Sequence, residues 1–156
     1  MKVPLQEIVN ALDMQSEECY TYLDRQTGEI ESLSGEVLRL VDEGGTAAGL
    51  PPWQPDEFEV AQAFFAHPDR FVKLPSEWDI HEWEIMREFA ESVAPARLSR
   101  DLEDALHGGG AFRHFKDTLR RYRREQDWYD YRAAAFRNIA IEWCEENGIE
   151  YTQSSP

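Results

Sequence analysis

The sequence predicts an α+β fold, a mostly helical single domain with a small antiparallel sheet built on an N-terminal β-hairpin. Its 156 residues, 42% of them hydrophobic, are enough for one buried core. Apolar side chains recur with helical spacing over much of the chain. Two short segments near the N-terminus are instead rich in aromatic and β-branched residues and flank a glycine. We therefore expect residues 1–156 to form one domain.

The N-terminal quarter contains the predicted hairpin. A short amphipathic helix precedes it, because apolar residues follow Pro4 at helical spacing; they are Leu5, Ile8, Val9 and Leu12. Residues 19–23 and 29–33 are the two predicted strands, and Gly28 can take the left-handed position of their loop. The segment at residues 36–41 is ambiguous between a short helix and a third strand.

The middle of the chain alternates loop, helix and strand. A loop at about residues 43–55 is rich in glycine and proline, and we expect it to be flexible. Asp56 is the predicted cap of a helix that Pro68 ends, with apolar positions at Phe58, Ala61, Phe64 and Phe65. A short strand is predicted at residues 71–74.

The second half of the chain is predicted to form four helices. Ser76 and Asp79 resemble a capping box for the first, whose inner face would hold Ile85, Met86, Phe89 and Val93. The second carries Leu98, Leu102, Ala105 and Leu106, and the third carries Phe112, Phe115, Leu119 and Tyr122. Asp127 is the predicted cap of the last, with Phe136, Ile139, Ala140 and Trp143 inward and Gly148 as its stop. Residues 149–151 can extend the sheet or lie outside it.

The net charge of −15 restricts the classes of partner. It comes from 31 acidic and 16 basic side chains, so the long-range field repels phosphate backbones and anionic membranes. The N-terminus does not resemble a signal peptide, and no apolar run approaches the ~18 residues of a membrane span. Cys19 and Cys144 are far apart and suit plain thiols. We expect a cytoplasmic protein that does not bind membranes.

Basic residues are concentrated in one predicted helix. Residues 111–124 hold six Lys or Arg and one acid, whereas residues 1–110 hold eight Lys or Arg and 23 acids. The helical period places four of the six on one exposed stripe: Arg113, Lys116, Arg120 and Arg124. Glycines 108–110 precede the helix, where bare backbone amides and the helix dipole favour an anion.

These residues define the candidate anion- or partner-binding site. Its members are Gly108, Gly110, Arg113, Lys116, Arg120, Arg124 and Trp128. The alternative is structural: the glycines only turn the chain, and the arginines pair with surrounding carboxylates. Trp128 and its aromatic neighbours could stack on a base or grip a peptide, but core packing is the more common role of such residues. The glycine run matches no phosphate-loop motif.

No arrangement of residues indicates catalysis, a metal or a cofactor. His81 begins a sequence like the zinc-protease HExxH motif, but Ile85 stands where the second histidine is needed. His81 with Glu84 or Glu88 is the only enzyme-like set, and it supports that class weakly. No Ser or Cys nucleophile has a recognisable spacing to a histidine. We assign no catalytic residue, metal ligand or cofactor.

One family resemblance covers most of the chain. The run Gly108 to Leu119, then Trp128-Tyr129 and residues 140–149, resembles Uncharacterised Protein Family 0158, a group of small, mainly bacterial proteins. The resemblance implies one compact domain and no known reaction. It singles out Gly108, Gly110, Phe112, Arg113, Phe115, Lys116 and Trp128. In the family pattern, basic residues stand where this chain has Gly109 and His114, which weakens the anion-site hypothesis here.

Three functional hypotheses follow. The leading one is a non-catalytic protein-interaction or regulatory module with a protein partner. The alternative is a binder of nucleic acid or a small phosphorylated ligand through residues 108–124. An enzyme using His81 and nearby carboxylates is third. The sequence leaves the partner and the oligomeric state open.

Overall fold

A computed structural model describes residues 2–15, 19–46, 48 and 55–153. Most of the loop that we predicted to be flexible, at residues 47 and 49–54, lies outside the described residues. The fold is α+β and mostly helical, as predicted. The described residues form two compact units, one within Met1–Ser76 and Ala140–Pro156 and the other at Glu77–Ile139. We call them the N-terminal unit and the helical unit.

The N-terminal unit opens with a short strand and the predicted helix. Strand β1 (Val3–Pro4) leads into α1 (Leu5–Asp13), and Pro4 is the N-cap because its extended backbone directly precedes the helix. Helix α1 buries Leu5, Ile8 and Leu12, which lie on one stripe. The predicted amphipathic helix is therefore confirmed.

The sheet contains the predicted hairpin and one further strand. Strands β2 (Cys19–Asp24) and β3 (Ile30–Ser34) pair antiparallel, and β4 (Phe71–Lys73) pairs antiparallel with the other edge of β2. The strand order is β3-β2-β4. Gly28 has the left-handed backbone expected of it, with φ 77°. The hairpin thus forms two strands of a three-stranded sheet.

Two helices cover this sheet's core residues. The ambiguous segment is helical: α2 (Gly35–Asp42) begins where the Ser34 hydroxyl accepts from the Val37 amide at 3.2 Å. Helix α3 (Pro55–Ala66) follows. Asp56 therefore lies inside the first turn and not at the cap, since proline is accepted as a first helical residue. The buried cluster of this region comprises Leu33, Val37, Phe58 and Ala61.

The helical unit contains the helices predicted for the second half, with one break. These are α4 (Glu77–Ile80), α5 (Glu82–Ser92), α6 (Ala96–Ala105), α7 (Ala111–Tyr122) and the larger part of α8 (Glu125–Glu146). The predicted helix after Ser76 is divided at His81, whose left-handed backbone (φ 54°) ends α4 and precedes α5. Asp127 is also inside its helix, as the third residue of α8, and its carboxylate accepts from Arg124 at 2.7 Å.

The last strand of the described residues does not join the hairpin. Gly148 has φ 65°, and the Ile149 amide donates to the Cys144 carbonyl at 2.8 Å, which ends α8 where the sequence predicts. Strand β5 (Tyr151–Thr152) then pairs parallel with β1. The Trp143 indole donates to the Lys73 carbonyl at 2.9 Å, which connects this end of α8 to β4 within the N-terminal unit.

Candidate interaction surface on helix α7

Helix α7 has a strongly apolar inner face. Phe115 and Leu119 are buried, together with Thr118, whose hydroxyl bonds back to the His114 carbonyl at 2.8 Å. Phe115 contacts the Trp128 ring edge-on, with 5.0 Å between centroids, and Phe89 packs against the same Trp128 ring at 5.4 Å. These aromatic contacts fix which face of α7 points outward.

The glycine run is an exposed turn in front of α7. Gly108 (φ 98°) and Gly110 (φ 71°) both have left-handed backbones, which L side chains rarely adopt. Gly110 is the N-cap, and no described side chain caps the helix. Gly109 does not have this conformation, and a Cβ there would meet no atom within 4 Å. Two of the three glycines are therefore required by the turn itself.

Arg113 and Lys116 point outward on the N-terminal half of α7. Both side chains are exposed, and within the described part of the chain neither has an ion-pair or hydrogen-bond partner. Phe112 lies beside them and is 51% exposed. Residues three and four positions apart are neighbours on a helix, so Phe112, Arg113 and Lys116 form one continuous surface. We call it the α7 surface.

The remaining cations of the predicted stripe have internal partners. Arg124 donates to Asp127 at 2.7 Å and to the Ala94 carbonyl at 2.9 Å, so it ties the end of α7 to the start of α6. Arg120 is 68% exposed and only approaches Asp117, at 3.5 Å. The alternative that the arginines pair with surrounding carboxylates therefore applies to Arg124 and, weakly, to Arg120.

The position of Arg113 is unfavourable for helix stability. The N-terminal end of a helix carries a partial positive charge, so cations stabilise the last turn and oppose the first. Arg113 is the third residue of α7, whose first turn contains no acid. Arg120 and Arg121, by contrast, lie in the last turn, where the dipole favours them. Helix stability therefore accounts for the positions of Arg120 and Arg121 but not for that of Arg113.

Trp128 does not belong to this surface. Its side chain is 2% exposed and lies under α7 between Phe89 and Phe115. The structure brings Gly110, Arg113 and Lys116 together at one end of α7, places Arg120 nearer the other end, and uses Arg124 and Trp128 as internal contacts. Trp128 supports the α7 surface from below and is not available to a ligand.

Comparison with known proteins identifies the family. Residues 51–155, which include all of α3 to α8, match the sequence model described as Uncharacterised protein family (UPF0158). The chain belongs to UPF0158. It is also 25% identical over 151 residues to UPF0158 protein PA5073 of Pseudomonas aeruginosa strain PAO1, covering 96% of this chain and 86% of that protein. No solved structure matches. The resemblance read from the glycine run is confirmed, and the match supplies no reaction or ligand.

The charge of this UPF0158 chain is divided unevenly between its two units. The sequence of the N-terminal unit contains 18 acidic and 5 basic side chains, a formal charge of −13. That of the helical unit contains 13 acidic and 11 basic side chains, a formal charge of −2. An anionic partner is therefore repelled much less by the helical unit, where the α7 surface lies.

Other groups of this UPF0158 chain offer little chemistry. His81 is exposed at the start of α5, and Glu84 is occupied by Arg87 at 2.9 Å. Among the described residues, no three His, Cys, Asp or Glu side chains are arranged as metal ligands. Burial raises the pKa of the Cys144 thiol to about 11, which keeps it protonated at neutral pH. None of the helices that the structure describes is long and apolar enough to cross a bilayer.

Phe112 was not among the predicted site residues, although the family resemblance singles it out. Its spacing to Phe115, Leu119 and Tyr122 marked it as one of the apolar residues of this helix, and its ring is half exposed. Phe112 is the second residue of α7, two positions after the exposed Gly110. That position is the signal that could have found it, because a first-turn side chain next to an exposed turn has few neighbours to cover it.

Proposed function

We propose that this chain is a non-catalytic interaction protein of the cytoplasm that binds an anionic protein partner through the α7 surface. The observation that carries the proposal is the pair Arg113 and Lys116, exposed and without partners in the described structure, in a chain of charge −15. Both side chains lie on the less acidic helical unit, so they are open to carboxylates of a partner. The dipole of α7 opposes a cation at Arg113, so helix stability does not account for it.

The alternative partner is nucleic acid or a small phosphorylated ligand. It is favoured by the bare first-turn amides of α7 and by the exposed glycines before them. It is opposed by the net charge, because phosphate binding depends on neutralising several phosphates at once. The α7 surface offers two unpaired cations, which favours a partner with few charges.

The test is charge reversal at the α7 surface. Tagged wild type and Arg113→Glu/Lys116→Glu are compared by pull-down from the native host after nuclease treatment. A glutamate in the first turn of α7 suits the helix dipole, so the variant should fold. We expect the specific protein partner to be reduced at least tenfold, because two attractive charges become repulsive.

A matched control exists on α6. Arg97→Glu/Arg100→Glu makes the same charge change, also near a helix N-terminus, on side chains that are exposed and form no described ion pair or hydrogen bond. This control should retain the partner. Equal loss in both variants would mean that only net charge matters, and retention in both would contradict the proposal. Loss of nucleic acid alone, in a sample without nuclease, would favour the alternative.

A further inference from the structure

The α7 surface joins an exposed aromatic ring to two unpaired cations, and this combination specifies the partner's chemistry. Phe112 and Lys116 are separated by one helical turn, and Arg113 adjoins the ring in sequence. A rise of about 1.5 Å per residue places all three within roughly 6 Å along the helix axis. One short segment of a partner can therefore contact all three side chains.

The exposed ring is as informative as the charges. Phe112 leaves half of its surface in water, and covering an exposed apolar ring favours association. Aromatic and arginine side chains are the residues most often found to dominate protein–protein binding energy. Either an apolar peptide side chain or a nucleic-acid base could cover Phe112, and the net charge of −15 disfavours the nucleic acid.

Resting on the proposed function, we propose that the partner presents an acidic segment that contains a large apolar side chain. Its carboxylates pair with Arg113, by the two-pronged geometry of a guanidinium, and with Lys116. Its apolar side chain covers Phe112. Such a segment brings only a few negative charges toward the acidic N-terminal unit, so the repulsion is far smaller than for a nucleic acid.

Site-specific photo-crosslinking in the native host tests this partner chemistry. Phe112 is replaced by p-benzoylphenylalanine in the full chain, and the linked segment is mapped by mass spectrometry. Tyr20, an exposed aromatic residue of β2, receives the same replacement as a control. We expect position 112, and not position 20, to link to a segment with net negative charge and an aromatic or aliphatic residue. Adding Arg113→Glu/Lys116→Glu should reduce this product at least tenfold.

Each other outcome overturns the inference. A product with nucleic acid, with a neutral or basic segment, or with a second copy of this chain would exclude an acidic partner segment. No product above that of the Tyr20 control would exclude contact at Phe112. Phe112→Ser in the pull-down separates the two proposals: full partner retention, with loss in Arg113→Glu/Lys116→Glu, would leave the proposed function intact and remove the apolar contact.

Discussion

At the residue scale, the N-terminal unit contains a bidentate ion pair between Asp24 and Arg70. Two nitrogens of Arg70 donate to the two carboxylate oxygens, at 2.7 and 2.6 Å. Asp24 is 3% exposed and also accepts from the Gln26 amide at 2.9 Å. The pair fastens the loop of the β2–β3 hairpin to the residue before β4, so it holds the three-stranded sheet together.

Asp24→Asn should destabilise the protein by about 1–2 kcal/mol, because a bidentate charged contact is lost where solvent still reaches the arginine. The Arg70 hydrogen bonds hold the pKa of Asp24 below its ordinary value. A lowered folded-state pKa contributes stability above the unfolded value of about 3.9, and this is lost as pH falls through the folded pKa. The Tm difference between wild type and variant should therefore be constant near pH 7 and shrink below about pH 4. A difference that grows on acidification would contradict this assignment.

Two arginines that the sequence placed on one stripe have different surroundings in the structure. Arg113 and Arg124 lie on one predicted stripe, yet only Arg124 has carboxylate and carbonyl acceptors within reach. Those acceptors belong to Asp127 and to Ala94, a residue 30 positions away. Spacing along one helix gives the direction of a side chain but not the identity of groups that other elements bring beside it.

At the element scale, the turn before α7 is the part that positions the α7 surface. The sequence predicted a turn from three glycines, and the structure divides their roles. Gly108 and Gly110 have left-handed backbones and Gly109 does not. An L side chain would therefore strain the backbone at positions 108 and 110 but not at position 109.

Gly110→Ala should lower stability by about 1 kcal/mol, because alanine resists the left-handed conformation. Gly109→Ala is the matched control and should be neutral or slightly stabilising, since its added Cβ meets open space. Chemical denaturation of both variants measures the difference. Equal destabilisation by the two alanines would show that the turn does not have the backbone described here.

Element ends were predicted less well than element interiors. Asp56 and Asp127 both lie within first turns, and His81 divides a segment whose apolar spacing is continuous. Capping preferences are local and weak, about 1 kcal/mol each, so a competing contact changes them. Asp127 illustrates this, because its carboxylate accepts from Arg124 and not from a helix amide.

At the scale of the whole molecule, the negative charge is divided unevenly between the two units. The sequence of the N-terminal unit carries −13 and that of the helical unit −2, so the unit that bears the α7 surface is much less acidic than the net charge of −15 suggests. Salt should weaken partner binding by screening short-range attraction at α7. The acidic N-terminal unit instead disfavours polyanions over longer distances.

We expect the two units to unfold as one domain, as the sequence predicts. Helix α8 contains residues of both units, with the boundary between Ile139 and Ala140, so melting either unit removes part of the same helix. Differential scanning calorimetry should give a single transition with equal calorimetric and van't Hoff enthalpies. Two resolved transitions would show that the chain comprises two independent domains.

The sequence by itself determined the α+β class, the interior of the helices, the hairpin, the family and the basic character of α7. These follow from periodicity, turn residues and composition, which act over a few neighbouring positions. Only the tertiary structure decided that β5 pairs with β1, that Trp128 is internal, that Arg113 and Lys116 have no partner among the described residues, and that Phe112 is half exposed. Those outcomes depend on which distant groups supply hydrogen bonds, counter-charges and apolar cover, and residue spacing along the chain does not contain that information.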